Sequence, residues 1–511
     1  MKSRIVSSIK NIYTGIILQI VTILLSIITR KIFVNHFGIE ILGINGILTN
    51  VISMLNLVEM GIGIAISQSL YKPLAQKNHE QVNEIMHLFA HMYKIIALIV
   101  SALGIILFPF LHLIVKTNIS MRYVYIAYLM LLMDTVLSYF LSYRRNILLA
   151  DQKKYKINNV TLYGTIALNI LQIIGTILTK SFLLFLFIKI VVNLIQNIYL
   201  YFYTNNKYKY LMDRPTTNLE KQTKLLIFNN IKALFVMNIS TYLIFGTDNI
   251  LLSIFAGTVA VGLYSNYSMV INSIKGLISQ VFTGITASYG NFLFLDNLKE
   301  AHDVFLTLYF CNFWICTFCS VSLMVLLNPF IVIWIGNDYL LPLGVLVVLI
   351  WNFYADVMRS STELVRAASG LYSPYRFFKY WIFVEAVANL VFSILLAGPL
   401  KLGIYGVFIG TMLSGFIATY VLPWNLYKYV FHKSSKIFYF KHIYYTLISI
   451  VITTVVYYLS NIVHIDNLYI LFTTKILICL SVPNIIIVLI FHKTKEYQYI
   501  YLKIIKRLLK K

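Results

Sequence analysis

Residues 121–156 read MRYVYIAYLMLLMDTVLSYFLSYRRNILLADQKKYK. The first part, 121–143, is apolar apart from Arg122 at its edge and Asp134 within it, and is long enough to cross a hydrocarbon core, which takes roughly 20 residues as a helix. The next part carries Arg144, Arg145, Lys153, Lys154 and Lys156 in quick succession. An apolar span followed by a basic loop is the unit from which the whole chain is built. Fourteen spans are expected, at 11–33, 41–66, 86–115, 121–143, 159–179, 181–203, 230–256, 259–289, 304–335, 339–359, 377–398, 403–425, 442–462 and 468–491, numbered 1 to 14 below. Hydrophobic residues make up 59% of the 511 and charged residues 12%, with a mean hydropathy of +0.80. A soluble protein of this size has no core able to hide that much apolar surface. The fold class is therefore an all-α integral membrane protein.

The basic residues give the topology. Of 42 Lys and Arg, 31 lie in segments on the same side as the N-terminus. Six lie on the opposite side (Arg30, Lys31, Lys116, Arg122, Lys180 and Lys401), and five within spans (Lys94, Lys189, Lys232, Lys275 and Lys475). Lys and Arg accumulate on cytoplasmic loops, so both termini are expected in the cytoplasm and the protein in the bacterial inner membrane. The formal net charge of +24 is then a topology signal, and nucleic acid is not an expected partner. The first span is long, lacks a convincing small-residue cleavage site and is read as retained.

The chain divides into an N-terminal six-helix bundle (1–203), a cytoplasmic amphipathic connector (204–229), a second six-helix bundle (230–425), two extra spans (426–491) and a basic amphipathic tail (492–511). The connector contains Asp213-Arg214-Pro215 and then Thr217-x-x-Glu220, the spacing of a capping box. The tail sets Ile500, Ile504, Ile505, Leu508 and Leu509 against Lys503, Lys506, Arg507, Lys510 and Lys511, which suits an anionic lipid surface. Laying the second half over the first with Gly257 on Gly38 also brings Gly262 onto Gly43, both pairs at the outer turn between the first two spans of a half. Parallel repeats of this kind recur in transporters, with the substrate path at the interface of the halves.

The segment Thr247-Asp248-Asn249-Ile250-Leu251-Leu252, followed by Gly257 and by Val261-Gly262-Leu263-Tyr264-Ser265, resembles the span 7 to span 8 signature of bacterial polysaccharide flippases, which belong to the multidrug/oligosaccharidyl-lipid/polysaccharide exporter (MOP) superfamily. Arg30, Phe37-Gly38 and Leu42-Gly43 in the N-terminal stretch are similar too. The resemblance implies that the chain moves an undecaprenyl-diphosphate-linked oligosaccharide between leaflets by alternating access, for capsule, O-antigen or other surface polysaccharide. It implies contact with membrane lipids, with an H+ or Na+ gradient and with polysaccharide assembly machinery.

That cargo requires cations at membrane depth, and intramembrane charges are costly enough to be read as functional. Lys275, mid-span 8 with no carboxylate within a turn, is the leading diphosphate candidate; a lysine holds phosphate as a point charge. Arg30, Lys94 and Lys189 are further cavity candidates. Asp248 and Glu59 are candidates for gating or ion coupling, among the buried acids Glu59, Asp134, Asp248, Asp356 and Glu385. Asp356 with Arg359, and Glu363 with Arg366, sit one helical turn apart and are expected to form local ion pairs. The four cysteines, with Cys316-x-x-Cys319 in an apolar helix, read as packing residues. No metal, cofactor or catalytic residue is expected, because no metal motif, nucleophile elbow or Gly-rich phosphate loop is present, and the protein is not expected to be an enzyme. The alternatives are an ion-coupled multidrug antiporter, a peptidoglycan-precursor flippase and, from a different class, a membrane polysaccharide polymerase. The antiporters resemble twelve-span chains with an acid in span 1, which this span lacks. Polymerase chemistry calls for a sizeable outer loop, and the outer loops here are short.

Overall fold

The computed structural model describes residues 2–59, 62–213, 215, 219–293, 298–369 and 376–501. Among the described residues, each of the fourteen expected spans is mainly helix. Ten helices among the described residues are long and apolar enough to cross a membrane on their own, and the first of them, Tyr13–Leu55, holds span 1 and most of span 2 end to end. The join is a single residue. Gly38 takes φ 79° and ψ 174° inside the run Lys2–Leu55. Gly257, its counterpart in the second half, takes φ 84° and ψ 167° between the helices Asp248–Ala256 and Thr258–Leu293. An L-residue with a side chain pays steric strain at such angles, and glycine does not. The shared geometry supports the repeat more strongly than the few matching letters do.

Contacts divide the chain into two compact units, Met1–Gly262 and Leu263–Lys511. In the first unit span 1 packs on span 5 (Lys154–Thr179), span 5 on span 6 (Phe182–Lys207), and span 4 (Met121–Ser142) on span 6. Polar side chains fix these contacts. Thr29 donates to Asn169 at 2.6 Å, and Asn158 donates to Thr14 at 3.0 Å. Inside a bilayer such hydrogen bonds and close van der Waals contact hold helices together, because lipid tails are as apolar as leucine. Span 7 belongs to this unit and is broken. Its first helix, Lys221–Phe245, ends at Gly246, and the second begins at Asp248. Asn50 of span 2 bridges the break, donating to the Gly246 carbonyl at 2.9 Å, while Tyr242 donates to the Asn50 carbonyl at 2.6 Å. The helix that starts at Lys221 runs into span 7 without a turn, since no Gly or Pro interrupts Lys221–Phe245. Arg214 and Thr217 of the connector, and 502–511 of the tail, lie outside the described residues.

In the second unit span 10 (Leu343–Ala368) packs between span 9 (Leu298–Trp334) and span 12 (Ile404–Leu426). Span 11 (Arg376–Ala397) lies against span 12 so closely that a Cβ on Gly406 would meet the backbone of Leu396 and Ala397, and one on Gly410 that of Ser393. This is the small-xxx-small mode of membrane helix pairing. Spans 13 (Lys436–Ile462) and 14 (Leu468–Phe491) pack on span 9.

Candidate functional site

Span 10 carries Asp356, Arg359, Glu363 and Arg366 at spacings of three and four, which puts all four on one helical face. Asn312 of span 9 anchors that stretch, donating to the carbonyls of Val357 at 2.9 Å and Met358 at 3.1 Å. Three ion pairs then stack along the face. Lys275 of span 8 donates to Asp356 at 2.7 Å. Arg359 donates to Glu385 of span 11 at 2.8 Å, and Gly415 of span 12 leaves room beside the guanidinium. Glu363 pairs with Arg366 one turn further on. Glu385 is 4% exposed, so it has exchanged water for this partner, and removing the arginine would strand a buried charge.

The expected local pair of Asp356 with Arg359 gives way to two pairs between helices. A carboxylate three residues along the same helix competes poorly with one on a facing helix whose geometry is fixed by packing. The Glu363–Arg366 pair forms as expected.

The first unit holds a different cluster. Glu59 follows a tight turn, Asn56–Val58, and accepts the hydroxyl of Tyr93 from span 3. Beside it Tyr139 of span 4 donates to the Asn56 side chain at 2.7 Å. Lys189 of span 6 lies 3.7 Å from Asp134 of span 4, whose two oxygens each accept from Asn193 at 3.1 Å. Arg30 is half-buried in span 1 and Lys94 exposed on span 3; among the described residues neither has an ion-pair partner. Asp248 is buried at the first turn of the second helix of span 7, where the helix dipole favours a negative charge. Among the described residues no three His, Cys, Asp or Glu side chains group as metal ligands.

Residues 8–286 match the family described as "Polysaccharide biosynthesis protein". The chain belongs to this family. No curated protein sequence matches the chain. Among solved structures, a Lipid II flippase MurJ in an inward closed conformation superposes with a TM-score of 0.65 at 18% identity, covering 93% of this chain and 99% of that one. A multidrug resistance MATE family transporter of the MOP superfamily, inward-facing, gives 0.59 at 15% identity, covering 79% of this chain and 96% of that one. The Vibrio cholerae MATE transporter VcmN gives 0.58 at 14% identity, covering 85% and 100%. At these identities the likeness establishes a shared fold. The family member thus shares the all-helical fold of these proteins, and its long apolar helices make it a multi-pass membrane protein.

Within this family member the six proposed residues fall into separate places. Lys275 is in the charged ladder, Glu59 in the tyrosine cluster, Lys189 with Asp134, and Asp248 at the break in span 7. Arg30 and Lys94 stand apart from all of these. Arg359, Glu385, Tyr93 and Tyr139 complete the clusters, and the sequence alone does not single them out as site residues. The acids are visible there as buried charges, but the tyrosines carry no sequence signal among the 38 in the chain.

Proposed function

We propose that this protein moves an undecaprenyl-diphosphate-linked oligosaccharide from the inner to the outer leaflet of the bacterial cytoplasmic membrane by alternating access, with both termini cytoplasmic. The observation that carries the reading is the ladder of three ion pairs on span 10, headed by Lys275 inside the helical bundle. The family description and the fold support it. In the state described the Lys275 ammonium is held by Asp356, so an arriving diphosphate must compete with that carboxylate. A proton delivered to Asp356 would weaken the competitor and strengthen the site for the anion, which couples cargo binding to an H+ gradient. Charge-assisted hydrogen bonds of this type are roughly twice as strong as neutral ones, so the exchange of one anion for another can be close to balanced. The Asn, Tyr and Glu groups around Asn56 suit the hydroxyls of a neutral sugar chain. The polysaccharide assembly machinery receives the product on the outer side.

The test is a leaflet assay. Proteoliposomes carry a fluorescent undecaprenyl-diphosphate oligosaccharide, and an external glycosidase reports its exposure under an imposed proton gradient. Wild type is expected to expose the glycan, and Lys275→Ala to lose that activity. The double variant Lys275→Ala/Asp356→Ala removes the stranded carboxylate and separates misfolding from lost binding. Exposure by all three proteins would keep the flippase and discard Lys275. No exposure by wild type, with the cognate glycan supplied, would overturn the reading in favour of an antiporter or an enzyme. A parallel assay with a peptidoglycan precursor tests the second reading, favoured by the match over 99% of the Lipid II flippase chain.

A further inference from the structure

The second glycine of each repeat pair meets the backbone of the other helix. A Cβ built on Gly43 would fall on the carbonyl oxygen of Thr258, and one built on Gly262 on the carbonyl oxygen of Ile39, both well inside the 3.0 Å that real Cβ atoms respect. The register that relates Gly38 to Gly257 also sends Ile39 to Thr258 and Gly43 to Gly262. The two contacts are therefore one contact made twice, each helix presenting a carbonyl to the other's glycine. Such mutual matching is the signature of a two-fold axis. It also puts the glycine Cα hydrogens against carbonyl oxygens, a weak but recurrent contact at close helix crossings.

Further bonds bind the end of span 7 and the start of span 8 to the loop between spans 3 and 4. Ser253 donates to the Ile114 carbonyl at 2.5 Å, and Lys116 donates to the Ile254 carbonyl at 2.7 Å. Thr258 donates to the Lys116 carbonyl. Glu40, next to Ile39, holds the same loop from the other side, accepting from the Thr117 hydroxyl at 2.5 Å and the Asn118 amide at 2.8 Å. All of these residues lie at the end of the bundle where the Gly38 and Gly257 turns sit, the outer end by the expected topology.

We infer that Gly43 and Gly262 form a two-fold latch whose two contacts hold or part as one, with the 114–118 loop as its strap. Glycine is needed there for close approach of two helix backbones, and any side chain wedges both contacts, since the helices cannot separate at one without separating at the other. The inference is independent of which cargo is carried.

Hydrogen–deuterium exchange on the full-length protein in lipid nanodiscs tests it without a substrate. Gly43→Ala is expected to speed exchange about tenfold, equivalent to about 1.4 kcal/mol, in both 39–47 and 258–266. Gly262→Ala should give the same pattern in the same two segments. Gly104→Ala, whose nearest neighbour is the Leu132 side chain, should leave both segments unchanged. Should the alanine variants fail to fold, Thr258→Val loosens the strap without adding backbone bulk, and the same two segments should exchange faster by a smaller factor. Acceleration confined to the substituted turn, or none in either, would overturn the latch. That result would leave the proposed cargo untouched.

Discussion

Asn56 and Lys275 occupy equivalent points of the two halves, since the register that lays Gly257 on Gly38 lays one on the other. Each reaches the fourth span of its own half, Asn56 to Tyr139 and Lys275 to Asp356. One position is a neutral hydrogen bond and the other an ion pair. The same position of each half thus reaches that half's fourth span with different electrostatics, and the Lys275–Asp356 and Arg359–Glu385 pairs lie in the second half. Under the proposed function, the second half takes the anionic end of the cargo and the first half its polar, uncharged part.

The hardest blow to that contrast falls on the buried pair below Lys275. Arg359→Ala leaves Glu385 buried without its cation and is expected to cost about 3–5 kcal/mol, read as a large drop in thermal unfolding midpoint in detergent. If the midpoint hardly moves, the ladder is not a structural charge network. Lys275→Asn makes the second half resemble the first. Its pair is 25% and 31% exposed at the two side chains, so stability should change little. Transport should fall roughly ten- to a hundredfold, as expected for losing a charged hydrogen bond of about 1.5–3 kcal/mol. Equal transport by the variant would erase the functional asymmetry. Tyr139→Phe in the first half removes a neutral bond and should cost about 1 kcal/mol with a modest rise in the glycan concentration needed for half-maximal rate. A loss as great as that of Lys275→Asn would mean that the two halves share the work evenly. Lys153→Met, on the loop after span 4 where Lys153 meets Asp151, sets the floor. Part-exposed pairs of this kind contribute about 0–1 kcal/mol, so its unfolding midpoint should stay close to wild type.

The apolar spans were legible because apolar length is a property of contiguous residues, and the Gly38 and Gly257 turns because glycine marks positions that other residues enter only with strain. The break in span 7 was not legible. It depends on Asn50 and Tyr242, 192 residues apart, satisfying backbone groups across helices. The same limit governs the site. Lys275 could be recognised as a costly intramembrane charge, but its carboxylate lies 81 residues away. Arg359 had a candidate partner in its own helix, and only packing of span 11 against span 12 brings Glu385 into reach.

Those separations also set a schedule for biogenesis. At a synthesis rate of about 5–20 residues per second, Arg359 waits roughly 1–5 s for Glu385, 26 residues downstream. Lys275 waits roughly 4–16 s for Asp356. During that interval span 8 has to enter the membrane, or linger beside the insertion machinery, with an ammonium that has not yet met its span 10 carboxylate. For the nascent chain, release of span 8 into lipid is therefore cheapest once span 10 has arrived to pair Lys275.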